Sequence, residues 1–85
     1  MKAKEMFEEL GYLKTENDIC IEYIKQTDKH WVNTITFSKH LKYYIVCFDS
    51  THTNKQVPML IKPKEHQAIT QQMKEMGWLD ESKKK

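Results

Sequence analysis

His30, His40, His52 and His66 are the side chains in this sequence best suited to metal binding or proton transfer. The first three fall in separate polar segments between apolar runs. No two histidines have HxH spacing or the helical i, i+4 spacing. A zinc site needs three or four ligands that converge on one point. The spacing therefore favours solvated loop histidines over a metal site, and no metal or other cofactor is predicted.

The segment DSTHTNK, residues 49–55, is the one stretch whose composition resembles that of a catalytic group. Asp49, Ser50 or Thr51, and His52 supply the side-chain types of a nucleophile, its base and an orienting acid. The same hydroxyl-rich composition is typical of a turn. The chain has two glycines, too few for a glycine-rich phosphate-binding loop. The sequence therefore predicts no catalytic residue. A small enzyme ranks third, after a protein-binding module and a nucleic-acid-binding module.

Lysine supplies the whole positive charge of the chain, because its fourteen basic residues include no arginine. Arginine is the usual reader of guanine edges, so sequence-specific DNA recognition is not expected. Residues 25–55 nevertheless carry a net charge of +3 and are interleaved with aromatic residues. Stacking aromatics beside lysines can hold single strands. The alternative hypothesis is a weak single-stranded nucleic-acid-binding module, with a surface formed by Lys29, Trp31, Lys39, Lys42 and Tyr43.

The two cysteines, Cys20 and Cys47, lie in separate apolar runs without CxxC spacing. This arrangement favours two free thiols over a disulfide or a metal site.

The phrases MFEELGYL, near the start, and MKEMGWL, near the end, have the same organisation. In each, an apolar stripe with helical spacing stops at a glycine, and an aromatic residue and a leucine follow. A glycine after the last turn is the usual end of a helix, because it adopts the left-handed conformation at little cost. The two phrases therefore predict helices over residues 2–10 and 63–76 that end at Gly11 and Gly77.

Four runs between the helices alternate or are continuously apolar, as strands are. The connections between them are short and polar, which favours antiparallel neighbours. The predicted fold is α+β in the order α-β-β-β-β-α, a four-stranded antiparallel meander with both helices on one face. One domain is expected over residues 1–80, followed by a disordered lysine tail at 81–85. The predicted strands are residues 18–25, 31–37, 43–48 and 56–61.

The two-residue period of these strands assigns their side chains to two faces. The face beneath the helices should hold Ile19, Ile21, Tyr23, Ile35, Phe37, Tyr44, Val46, Phe48, Val57, Met59 and Ile61. The other face has nothing left in the chain to cover it, yet it is half apolar. Because exposed apolar patches usually mark partner sites, we expect a protein-binding surface there. Its predicted centre consists of Ile24, Val32, Thr34, Tyr43 and Ile45.

The terminal phrases AKEMFEELGY and HQAITQQMKEMGW resemble those of short uncharacterised proteins encoded by phages and prophages of Firmicutes. The resemblance implies a location in the cytoplasm of a Gram-positive host, and no chemistry. It favours a small non-enzymatic accessory protein that binds or inhibits a host or defence protein, or associates with itself. The sequence has no apolar run long enough for a membrane span, so no membrane partner is expected.

Overall fold

The computed structural model describes residues 1–50, 56–57 and 60–79, and the predicted lysine tail lies outside them. Five antiparallel strands form one sheet in sequence order, β1-β2-β3-β4-β5. A helix precedes the sheet and a second helix follows it. The predicted α+β class and the antiparallel meander are confirmed. The elements are α1 (Ala3–Glu9), β1 (Leu13–Glu16), β2 (Cys20–Gln26), β3 (Trp31–Ser38), β4 (Tyr44–Ser50), β5 (Gln56–Val57) and α2 (Pro63–Glu75).

Both helices begin with the same local contact. The backbone N–H of Lys2 donates to the Glu5 carboxylate at 3.0 Å, and that of Lys62 donates to Glu65 at 2.9 Å. A carboxylate three residues into a helix thus satisfies one donor at the N-terminus and complements the helix dipole. Pro63 occupies the first turn of α2, where its missing N–H breaks no hydrogen bond.

Both helices also end as predicted. Gly11 and Gly77 have φ values of 95° and 81°, in the left-handed region that favours glycine. The residue after each glycine, Tyr12 or Trp78, donates its N–H at 3.0 Å to the carbonyl five residues earlier. The Tyr12 ring then meets the Phe7 ring edge to face, with 5.5 Å between centroids. The repeated phrase is therefore one capping arrangement used twice.

The four predicted strands correspond to β2–β5, and β1 is a strand that the sequence analysis missed. A tight turn joins β1 to β2, and the Asn17 side-chain oxygen accepts the N–H groups of Ile19 and Cys20 within it. Ile19 was predicted to lie in the core, and this prediction is wrong. Its side chain is 67% exposed, because residue 19 belongs to the turn and β2 begins at Cys20.

The core lies between the two helices and one face of the sheet, which we call the helix-covered face. Phe7 of α1 stacks on Tyr23 at a centroid distance of 3.9 Å, and Trp78 after α2 lies 6.3 Å from Phe37. These contacts place both helices on the predicted side. The buried apolar residues are Ala3, Phe7, Tyr12, Ile21, Tyr23, Ile35, Phe37, Ala68 and Ile69.

The core is thinner towards β4 than the sequence predicts. Tyr44 lies opposite Phe37, on the helix-covered face, but remains 38% exposed because it is near the edge of the sheet. Ile61 is 36% exposed, since the described chain has left the sheet by that residue. The side chains of Val57 and Met59, also predicted to be in the core, lie outside the described residues.

Two buried hydrogen bonds attach α2 to the rest of the fold. The Tyr12 hydroxyl donates to Glu65 at 2.7 Å, and the Tyr23 hydroxyl donates to Gln72 at 2.6 Å. Burial is the main cause that raises the pKa of both tyrosines above the ordinary value of 10.0, and the Glu65 carboxylate adds to the effect at Tyr12. Both phenols therefore stay protonated and remain donors.

A carboxylate near the end of α2 also contacts the start of α1. Glu75 accepts the Ala3 N–H at 2.7 Å and the Gln71 side-chain amide at 3.0 Å. Partial burial pushes the pKa of Glu75 upward. The two hydrogen bonds, together with nearby lysines, outweigh burial and hold this pKa below its ordinary value of 4.5.

Candidate protein-binding face

The strand register assigns side chains to the sheet face opposite the helices, which we call the open face. On it, Thr34 lies between Ile24 and Cys47, and Thr36 lies between Glu22 and Ile45. The two helices pack on the other side of the sheet, within the core. The open face consists of Leu13, Thr15, Cys20, Glu22, Ile24, Gln26, Val32, Thr34, Thr36, Ser38, Tyr43, Ile45, Cys47 and Asp49.

The five residues predicted to bind a protein all lie on the open face. Tyr43 and Ile45 are 48% and 49% exposed. Ile24, Val32 and Thr34 are half-buried, because they stand on β2 and β3 between neighbouring strands. The structure thus brings the predicted residues onto one surface, the face to which the two-residue period assigns them.

Leu13 is a further apolar residue of the open face, and it was not predicted because β1 was not predicted. It lies opposite Ile24 and is 73% exposed, more than any other large apolar side chain of this face. The available signal was the alternation of LKTE directly after Gly11, where the chain has to turn back along the sheet.

Four apolar residues of the open face form two patches, with Glu22 and Thr36 between them, and Val32 belongs to neither patch. Leu13 and Ile24 form the β1–β2 patch; Ile45 of β4 and Tyr43, the residue before this strand, form the β4 patch. Between the patches, the Thr36 hydroxyl donates to the Glu22 carboxylate at 3.0 Å. A ligand that covers the whole face must therefore make two apolar contacts and leave Glu22 hydrogen-bonded.

Both cysteines belong to the open face, on β2 and β4, with β3 between them. Strands stand about 4.8 Å apart, so two spacings exceed the roughly 7 Å Cα separation that a disulfide tolerates. Burial, with a smaller effect of Asp49, raises the pKa of the Cys47 thiol above its ordinary value. Cys47 is therefore expected to react slowly.

The structure divides the residues of the alternative nucleic-acid surface. Lys29 lies in the β2–β3 turn, whereas Lys39 and Lys42 lie in the β3–β4 turn, at the opposite end of the sheet. Trp31 faces the helix-covered side and stacks on Phe48 at 4.6 Å between centroids. Its ring is turned away from the face that carries the fifth residue, Tyr43. No continuous basic and aromatic track results within the described residues.

The histidines of the described chain do not meet. His40 places its Nε2 atom 3.0 Å from the Asp18 carbonyl, and His30 and His66 are exposed in other parts of the molecule. His52 and Thr51 lie outside the described residues. Over residues 1–50 and 60–79, no group of three His, Cys, Asp or Glu side chains is arranged to hold a metal ion.

Comparison with known proteins gives no relative: the chain matches no protein-family model, no curated protein and no solved structure. Within the described part of the chain, no helix is long and apolar enough to cross a membrane.

Proposed function

We propose that this protein is a small non-enzymatic binding module that contacts another protein through its open face. The observation that carries the proposal is the exposure of Leu13, Tyr43 and Ile45, at 73%, 48% and 49%, on one sheet face. Solvated sheet faces usually carry polar side chains, and large exposed apolar residues are typical of partner sites. Tyrosine suits such a role, because it combines apolar area with a polar tip.

The chemistry of the open face restricts the partner. Covering both patches removes Glu22 from water, and an unpaired buried carboxylate is costly. A partner surface with two apolar contacts and a basic or amide donor between them satisfies this requirement. The resemblance of the terminal helices to phage proteins adds that the partner is a host or defence protein of a Gram-positive bacterium.

The test replaces the β4 patch with charge. In the double variant Tyr43→Glu with Ile45→Lys, net charge is unchanged and both positions are half-exposed, so the fold should survive. We expect the variant to lose a partner that the wild type captures from a lysate of phage-infected Gram-positive cells. Reconstitution with the purified partner should show a loss of affinity of at least about tenfold, because interface aromatics often contribute more than 1.4 kcal/mol.

A matched control distinguishes binding by the open face from nonspecific association through exposed apolar residues. Ile19→Glu with Leu60→Lys also replaces two exposed apolar residues, at 67% and 87% exposure, with one acid and one base. It should bind as the wild type does. Two outcomes would show that the open face is not the binding site. One is an equal loss of binding in both variants, and the other is unchanged binding by the open-face variant with unchanged circular dichroism.

A further inference from the structure

The outer edge of β1 presents backbone groups that no other described strand bonds to. The Asn17 N–H donates to the Cys20 carbonyl at 3.0 Å. This bond shows which opposite residues of β1 and β2 are hydrogen-bonded pairs and which are not. Because hydrogen-bonded residues alternate in an antiparallel pair, Leu13 and Thr15 bond to β2. The N–H and C=O groups of the residues between and beyond them, Lys14 and Glu16, must point away from the sheet.

These outward groups are accessible. Strand order places β1 at the end of the sheet, and no described residue hydrogen-bonds to the backbone of Lys14 or Glu16. An uncovered edge of this kind is a template for pairing with another strand. Proteins commonly protect such edges with lysines, which repel the lysines of a second edge. β1 instead carries a lysine and a glutamate two residues apart.

The charge pattern of β1 is complementary to itself. If a second copy pairs antiparallel with β1 about a two-fold axis at Thr15, Lys14 of each copy lies opposite Glu16 of the other. Both are outward-bonding residues, so the pair satisfies the geometry of the ladder. Shifting the axis to Lys14 or to Glu16 would instead place like charges opposite each other, which is destabilising. The charges therefore select one register.

We propose that the protein forms a symmetric homodimer in which the two β1 strands pair edge to edge in the register centred on Thr15. Four backbone hydrogen bonds and two Lys14–Glu16 pairs hold the copies together. Within one chain, Lys14 lies 3.5 Å from Glu16, and Lys39 lies 2.6 Å from the other oxygen of the same carboxylate. In the dimer, each Lys14 therefore exchanges its own Glu16 for that of the second copy, while the Lys39–Glu16 contact is kept. The two-fold axis is perpendicular to the sheet, so the two open faces lie on the same side of one continuous sheet. The two β1–β2 patches, with Leu13 nearest the axis, are then parts of one larger surface.

Charge reversal gives a direct test by sedimentation velocity over a concentration series. Lys14→Glu places two glutamates opposite each other at both pairs, and Glu16→Lys places two lysines there. Each single variant should weaken dimerisation by at least about tenfold, since two favourable pairs become two unfavourable ones. An equimolar mixture of the two variants restores unlike pairs and should form a heterodimer. The double variant should again form a homodimer.

Lys29→Glu is the matched control, because it makes the same charge change in the β2–β3 turn, away from β1. It should dimerise as the wild type does, and circular dichroism should show that all variants are folded. A wild type that stays monomeric at every concentration would overturn the proposal, as would single variants that dimerise normally or a mixture that stays monomeric. These outcomes are independent of partner binding by the open face, since the Lys14 and Glu16 side chains lie on its other side.

Discussion

At the scale of single residues, the Tyr12–Glu65 hydrogen bond is the contact whose loss we expect to be most costly. Glu65 is 6% exposed, so water cannot replace the phenol when the hydroxyl is removed. Tyr12→Phe keeps the ring against Phe7 and leaves one carboxylate oxygen without its donor. We expect a decrease of about 1–3 kcal/mol in the free energy of unfolding, measured by urea denaturation.

Tyr44→Phe is the control for this variant, because Tyr44 is 38% exposed and its hydroxyl can bond to water. It should change the free energy of unfolding by less than about 0.5 kcal/mol. Equal effects of the two substitutions would show that the Tyr12–Glu65 bond adds nothing beyond a solvated hydroxyl.

Glu75 should make the protein sensitive to acid. Its pKa lies below 4.5 in the folded state, so the unfolded state takes up the proton first as the pH falls. The contribution of Glu75 is therefore present above about pH 4.5 and is lost as the pH falls through the lower folded pKa. Glu75→Gln keeps an oxygen for the Ala3 N–H, and it should flatten the decline of unfolding free energy as the pH falls below about 4.5.

Glu9→Gln provides the comparison for Glu75→Gln. Glu9 is exposed on α1, and its side chain makes no hydrogen bond or ion pair within the described residues. Its substitution removes the same charge from α1 without removing a contact between the helices. A Glu75→Gln profile that coincides with the wild-type profile would contradict the proposed contact between the two helices.

At the scale of elements, the two glycine caps should contribute through backbone conformation alone. An added Cβ would lie 3.5 Å from Lys25 at Gly11, an ordinary contact, and would meet nothing within 4 Å at Gly77. Alanine at either site should therefore lower the free energy of unfolding by about 1 kcal/mol, because a left-handed φ is unfavourable for a residue with a Cβ. Denaturant melts measure this change. Gly77→Asn should cost less, because asparagine tolerates this conformation. A neutral or stabilising Gly77→Ala would contradict this account.

The elements that local patterns specify were predictable, and those that depend on tertiary contacts were not. The helix ends follow from glycine and proline, and the face on which each side chain of β2–β4 lies follows from the two-residue period of a strand. β1 was missed because its four residues alternate too briefly to distinguish a strand from a linker. Glu65 and Gln72 are polar by type, and only the approach of two tyrosine hydroxyls makes their burial favourable.

The open face was predictable for a similar reason. A two-residue period assigns Ile24, Val32, Thr34, Tyr43 and Ile45 to one side whenever the helices occupy the other. The separation of Trp31 from Tyr43 also follows from this period, since 31 and 43 lie on different faces once the β3–β4 register is known. That register depends on the length of the β3–β4 turn, which composition alone does not give.

At the scale of the whole molecule, the helices cover one end of the sheet more completely than the other. Phe37 is fully buried beside Trp78, whereas the stacked pair of Trp31 and Phe48 is only half-buried and lies outside the core cluster. Few buried contacts and exposed backbone are the features of segments that open before the whole fold does. We therefore expect the end of the β2–β3 hairpin to open locally.

Amide hydrogen exchange at two residues of β3 tests this expectation. The Asn33 and Phe37 amides both bond to β2, and Asn33 lies farther from its strand end. Strand fraying alone would protect Asn33 more, whereas local opening of the hairpin makes Asn33 exchange faster than Phe37.

Trp78→Leu should then speed up exchange at Phe37 and leave Asn33 unchanged, because Trp78 stays packed during the local opening. Trp31→Leu should speed up both, since its stack is lost in local and global opening alike. Equal acceleration of both amides by Trp78→Leu would show that the molecule opens only as a single cooperative unit.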